Sequence, residues 1–306
     1  MAEAIGGGVP RDSITIQPFT RRDRQSVRDL IFRSSRVHVH LDWQEIDDWL
    51  LSPDGIVQIA WLGRRLVGVI GVSKPVDGAC WLRLLVVSDF GDGAGVIDAL
   101  WSHLRATLPL RDQRTVAVLV SREWVMNPLA VHDFHPAEEI VTLERPRLPI
   151  TAPPPPADLT LRLIRPDEID AITAIDHQAF ASPWQMERAD LRQAEKASSI
   201  GLVALVEGQI VGYALCTVFV EGAHLARLGV FPAMQRRGIA GALLADALWR
   251  FQRRSIYTMT VNTQASNARS LRLYARFGFA RNGYDIPVWM FHAPTIQLVD
   301  RPSTEG

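Results

Sequence analysis

Gly68 and Gly212, Arg83 and Arg227, and Val86 and Val230 are three identities, each separated by 144 residues. A constant spacing carried across two strands is what an internal duplication leaves behind, and it constrains the fold more than any single motif does. The flanking segments agree. Each copy opens on an alternating strand, ITIQPF from residue 14 and LTLRLI from residue 159. Each then passes through a helical stretch into two apolar strands joined by a tight turn: IVQIAWL, GRR and LVGVIGV in the first copy, LVALV, EGQ and IVGYALC in the second. Between the copies lies TAPPPPADLT at 151–160, whose four consecutive prolines favour an extended spacer. This pattern predicts domains at 12–148 and 159–300 with a Pro-rich linker at 149–158.

The order in each copy is strand, one or two helices, three strands, helix, strand, helix and final strands. That is an α/β fold class, with two tandem units, each a mixed and mostly antiparallel sheet flanked by helices. With 306 residues, 47% of them hydrophobic, the chain can bury two cores without a metal or disulfide. Its formal net charge is zero and its basic residues are dispersed, which argues against a nucleic-acid or anionic-membrane surface. Cys80 and Cys216 sit in apolar strand contexts and read as buried thiols of a reducing compartment, so the expected location is cytoplasmic. The opening MAEAIGGGVPRDS lacks the apolar core of a signal peptide. His38 and His40 alternate without a third ligand, so no metal is expected and both read as surface residues. Trp43, Trp49, Trp61, Trp81, Trp101 and Trp249 read as core or domain-interface packing.

The strongest chemical signal is ARLGVFPAMQRRGIAGALL at 226–244. An apolar strand bearing Leu228, Gly229 and Val230 turns at Pro232. It passes through Gln235, Arg236, Arg237, Gly238, Ile239, Ala240 and Gly241 into a helix expected over 239–251. The first N–H groups of a helix lack internal partners and point along a favourable dipole, so this loop is an anion site. Gly238 and Gly241 allow close backbone approach, and Arg236 and Arg237 add positive charge, which suits a pyrophosphate. A lone glycine at a strand-to-helix turn also has a purely steric reading. The spacing fits neither the dinucleotide fingerprint nor the Walker loop.

The next segment decides between them. VNTQASNARSLRLYARFGF at 261–279 follows a strand expected over 256–261. It places Asn267 at a helix start and Tyr274 two turns on, with Gly278 as the terminating C′ residue. Q-x-x-G-x-A followed by N-x-x-x-x-x-L-Y-x-x-x-G-F resembles the GNAT superfamily of N-acetyltransferases. The resemblance covers about 159–292 and, more weakly, 14–145, so the chain resembles a tandem GNAT protein with a degenerate first copy. It implies acetyl-CoA as cofactor, with coenzyme A as product, lying between two splayed parallel strands. Backbone groups of Leu228, Gly229 and Val230 would hold the acetyl and pantetheine end. Amides from Gln235 to Gly241 would hold the pyrophosphate, and Asn267 the pantetheine. Tyr274 would act as general acid toward the leaving sulfur. The implied reaction is direct attack of a primary amine, small molecule or peptide, on the acetyl carbonyl.

Where related N-terminal acetyltransferases carry a glutamate on the strand before this helix, the chain has Asn262. His224 and Glu221 are the side-chain candidates for general base, the histidine having an ordinary pKa near ~6.5; a water chain, or no base if the amine arrives neutral, are the alternatives. AFASPWQMERADL at 179–191 resembles the acceptor-pocket wall of alpha-amino acetyltransferases. Pro183 is placed at a helix start, and Trp184 either lines the substrate pocket or packs inward. In the first copy, the 144-residue offset sets Ala94 on Gly238, with Asp89 and Asp92 in place of arginines, and a 140-residue offset sets Asn127 on Asn267 and Phe134 on Tyr274. The copy is expected to keep the fold and lack catalysis. A non-catalytic acyl-CoA-binding regulatory protein is the alternative. No nucleic-acid or membrane partner is expected, and the chain reads as a monomer or homodimer.

Overall fold

The computed structural model describes residues 14–53, 55–108 and 115–293. The opening segment and the expected domain ends at 12–13 and 294–300 lie outside them. The first half runs β1 (Ile14–Pro18), α1 (Arg24–Arg33), β2 (Arg36–Val39), α2 (Ile46–Leu51), β3 (Gly55–Leu62), β4 (Arg65–Ser73), β5 (Ala79–Val87), α3 (Gly93–Thr107), β6 (Thr115–Leu119), α4 (Met126–Val131) and β7 (His135–Arg145). The second runs β8 (Leu159–Leu163), α5 (Ile169–Ala179), α6 (Arg188–Ala197), β9 (Ile200–Val206), β10 (Gln209–Phe219), β11 (Gly222–Val230), α7 (Ile239–Gln252), β12 (Met259–Gln264), α8 (Ala268–Arg276), β13 (Ala280–Arg281) and β14 (Ile286–His292). The class is mixed α/β, as expected. The strand expected at 256–261 begins only at Met259, because residues 256–258 are irregular.

The halves do not each close their own sheet. One 14-stranded sheet has the order β1-β3-β4-β5-β6-β14-β7-β12-β11-β10-β9-β8, with β2 paired to β5 and β13 to β7 off this path. The last strand of each half has crossed over: β7 pairs β12 of the second half, and β14 pairs β6 of the first. The cores record the exchange. Trp289 and Phe291 of β14 are buried with Leu100 and Trp101, whereas Leu143 of β7 is buried with Leu243 and Phe251. Each large apolar side chain so buried contributes about 1.5–3 kcal/mol, so the exchange ties the stability of one half to the other.

Helices cover both faces in each half. In the second, α7 buries Ile239, Leu243, Leu244, Ala247, Leu248 and Phe251 on one face. Alternation along β10 sends Tyr213 and Leu215 to the opposite face, where α5 and α6 lie. The linker is no free spacer: Ile150 and Ala152 pack on the second core. Buried Arg145 donates to the carbonyls of Phe277 (2.7 Å), Leu148 (2.8 Å) and Pro149 (3.0 Å). Cys80 and Cys216 are buried and form no disulfide, and burial pushes the Cys216 thiol up to about 12. His38 is fully buried on β2 and so is not the surface residue expected, whereas half-buried His40 lies with Nε2 2.8 Å from Asp42. Trp249, expected to be packed, is 51% exposed. No helix among the described residues is long and apolar enough to cross a membrane.

Candidate active site

β11 and β12 pair in parallel only from Ala223 to Leu225. At the next residue the ladder with β10 skips Ala226, because Leu215 faces Arg227 while Cys216 faces Leu225. Such a bulge bends a strand and re-aims its side chains. Beyond it β11 leaves β12, which continues along β7 through Asn262 and Gln264. The gap opens a cleft of about 820 Å³ lined by Leu228, Val230, Gln235, Arg236, Gly238 to Gly241, and Asn267. Gly229 faces away, where a Cβ would come 2.6 Å from the Tyr213 ring.

Gly238 has φ +85°, and the first helical bond of α7 runs from Ala242 N–H to Gly238 O at 3.0 Å. The amides before Ala242 therefore point out of the helix toward the cleft. A Cβ at Gly238 would meet nothing nearer than Pro156 at 3.9 Å, so conformation rather than crowding calls for glycine here. Gln235 is fixed between the Val230 carbonyl (3.0 Å) and Arg269. Arg236 lines the cleft, but Arg237 does not: it turns to Asp158 at 2.8 Å. In its place α8 supplies Arg269, Arg272 and Arg276. The i, i+3, i+7 spacing of these three was readable in the sequence but went unused.

α8 starts at Asn267, whose side-chain oxygen accepts from Ser270 N–H at 3.1 Å. It ends in a Schellman motif, with Phe279 N–H on Tyr274 O and Gly278 at φ +82°. Tyr274 is buried against Phe279. Burial holds its hydroxyl well above the usual range, Cys216 adds to the shift, and a hydrogen bond with Ser270 opposes it. The phenol therefore keeps its proton at neutral pH, which suits an acid and not a base.

Tyr274, Asn267 and Ser270 also line a second chamber of about 480 Å³ on the α5 side. Its walls come from both halves: His40, Trp43, Trp81 and Arg83 from the first, and Phe180, Trp184, Gln185, Thr217 and His224 from the second. Pro183 starts no helix, since α6 begins at Arg188. Trp184 packs on Trp81 at 5.1 Å between ring centroids, and Trp81 Nε1 donates to Pro183 O at 2.9 Å. Sequence reasoning missed what fixes this wall. Fully buried Asp176 accepts from Tyr213, from Arg227 Nε (2.8 Å) and from Met186 N–H (2.9 Å). Arg227 also donates to Trp184 O at 2.6 Å. An arginine in an otherwise apolar strand was the available signal.

His224 lines the chamber, with Nδ1 2.8 Å from Thr260 Oγ1, and burial lowers its pKa. Asn262 also lines it, whereas exposed Glu221 does not.

The first half departs from this plan. Its own bulge skips Arg83, so Leu82 matches Leu225 and Val87 matches Val230, 143 residues apart rather than 144. The buried face of α3 (Val96, Ile97, Leu100, Trp101, Leu104) repeats in α7 at 147. Gly91, φ +85°, is therefore the counterpart of Gly238, not Ala94. The intervening loop has three residues where the second half has seven. Phe134 matches Phe279, since both follow a left-handed residue and bond to the last turn of their helix, so Leu129 stands at the Tyr274 position. Asn127 lies inside α4 and caps nothing. The two aspartates that stand in place of arginines are engaged in local bonds. Asp89 is bonded to Ser35 and lies 3.8 Å from Arg36, and Asp92 caps its own helix at Gly95 N–H, 3.0 Å away. Above all, β2 pairs with Leu84–Val87, the edge equivalent to Arg227–Val230. The first half's gap is closed by its own strand.

The Acetyltransferase (GNAT) family model matches residues 169–279. Over 120 residues the chain is 28% identical to the [Ribosomal protein bS18]-alanine N-acetyltransferase of Salmonella typhimurium, covering 39% of this chain and 80% of the relative. It is 28% identical over 248 residues to the mycothiol acetyltransferase of Acidimicrobium ferrooxidans, covering 74% and 80%. Among solved structures, a tandem GNAT protein from the clavulanic acid biosynthesis pathway shares the fold at TM-score 0.61 and 17% identity, covering 92% of this chain and 99% of that one. A GCN5-related N-acetyltransferase from Sphaerobacter thermophilus does so at TM-score 0.59 and 19% identity, covering 93% and 98%. With the splayed strands, the left-handed glycine and the buried tyrosine in place, residues 169–279 are a GNAT acetyltransferase domain.

Proposed function

We propose that the second half, 159–300, transfers an acetyl group from acetyl-CoA to a primary amine held in the chamber between the halves, and that the first half, 12–148, shapes that chamber without catalysing. The observation that carries this reading is the adjacency of the two cavities, which share Leu228, Asn267 and Ser270 in their walls, with Tyr274 on the chamber side. The residues fit acetyl-CoA. Outward amides at the start of α7, with Arg236 and the arginines of α8, suit a pyrophosphate. The unpaired edge of β11 suits an amide-bearing pantetheine, and the amide nitrogen of Asn267 is its side-chain donor, the oxygen being used in the cap. Bound there, acetyl-CoA supplies the activated acyl group.

Within this reading Tyr274 donates its proton to the departing sulfur. His224 takes the amine's proton at Nε2, with Nδ1–H donated to Thr260. A lowered pKa leaves the imidazole neutral and able to accept. The rate should fall in acid as His224 protonates below ~6.5, and His224→Gln should flatten that limb. The buried thiols fit a cytoplasmic site of action. The relatives' names give two acceptor classes to try first, the alanine amine of a ribosomal protein and a mycothiol-type acceptor. Coenzyme A release with a panel of primary amines tests the reading. Acetylation of one of them above background hydrolysis, lost in Tyr274→Phe, is the expected result. No acetylation of any amine would leave a non-catalytic acyl-CoA-binding protein.

A further inference from the structure

The chamber holds polar atoms with nothing to bond. Thr217 is 8% exposed, and its Oγ1 is buried without a hydrogen-bond partner. Gln185 donates through Nε2 to His177 O at 2.9 Å, yet its Oε1 is buried and unpartnered. Both residues line the chamber, and Thr217 sits directly across the ladder from His224. Orphaned buried oxygens destabilise a fold and are retained where a ligand satisfies them.

We infer that Thr217 Oγ1 and Gln185 Oε1, beside His224, form the seat of the acceptor's ammonium group. The seat selects a primary ammonium, whose three N–H donors match the two unpartnered oxygens and the Nε2 of His224. An alcohol has one donor and a quaternary ammonium none, so both leave the seat unsatisfied. Thr217 is thus a substrate-contacting residue, and its hydroxyl does nothing for the fold. This rests on the reading of the chamber as the acceptor site.

The test is thermal melting of the full-length protein with n-butylammonium chloride, and with tetramethylammonium chloride at equal ionic strength. Butylammonium at several times its dissociation constant should raise the wild-type Tm by about 2 °C, and tetramethylammonium should not. In Thr217→Val the butylammonium shift should vanish while the Tm without amine equals or exceeds that of the wild type, and Thr217→Ser should restore the shift. The inference is overturned by equal shifts from the two salts, by no butylammonium shift in the wild type, by a shift retained in Thr217→Val, or by a lower Tm in that variant without amine. Calorimetry with acetyl-CoA separates this outcome from the wider proposal. Thr217→Val should bind it as the wild type does, and failure of the wild type to bind acetyl-CoA would sink the transferase reading while leaving the butylammonium comparison to decide the seat.

Discussion

The two halves put the same bulge to different use. After each three-residue parallel pairing the strand departs from its neighbour, at Ala226 in β11 and Arg83 in β5. In the second half the gap remains a cleft. In the first it is filled by β2, whose Arg36, Val37, His38 and Val39 bond to the exposed edge. The loop to the following helix is four residues shorter there, and its Asp89 and the capping Asp92 accept from Ser35 and Gly95. Sheet architecture alone therefore does not make a cofactor site: an unpaired strand edge and a helix start left free for a ligand do.

Substitutions can break this comparison. The largest effect is expected at Tyr274. Tyr274→Phe should reduce kcat by roughly 10²–10⁴-fold, the usual contribution of a placed acid, with acetyl-CoA affinity kept. Leu129→Tyr at the equivalent position should produce no second activity, because no cleft opens beside it. Next comes the strand exchange. Phe291→Ala should cost about 3–5 kcal/mol in denaturant unfolding, and hydrogen exchange should report the loss in α3 of the first half, although Phe291 belongs to the second.

The plug itself carries a pH signature. Burial, then the neighbouring charge of His40, lowers the pKa of His38 to about 4. The folded state thus refuses a proton that the unfolded chain takes up below ~6.5. This contribution to stability is full above ~6.5 and declines as pH falls toward 4, by about 3 kcal/mol. His38→Leu should flatten that decline in unfolding curves taken from pH 7 to 4. The smallest effect is expected at the first half's left-handed glycine: Gly91→Ala should cost about 1–2 kcal/mol of stability through backbone strain and leave acetyl-CoA affinity unchanged.

Much of this was legible in the sequence, and the limits have physical causes. Strand alternation and the buried face of α7 read directly, as did the Asn267 cap and the Gly278 stop, because each is a local backbone requirement. The register of the repeat slipped because the connection between β4 and β5 is one residue longer than that between β10 and β11, a difference without a mark in the sequence, so one offset was carried past a point where it became 143 and then 147. The exchange of β7 and β14 was invisible because either partner satisfies the same hydrophobic alternation. The buried Asp176, Tyr213 and Arg227 network joins three separate elements, and His38 entered the core through a strand pairing that no spacing announces. Thr217 and Gln185 became notable only once their lack of partners could be seen.

The central claim is that one half binds the cofactor and the other has closed its equivalent site. Calorimetric titration of acetyl-CoA into the full chain tests it most directly. The account predicts a stoichiometry of one, abolished by Gly238→Trp and untouched by Gly91→Trp. A stoichiometry of two, or binding that survives Gly238→Trp, would contradict it.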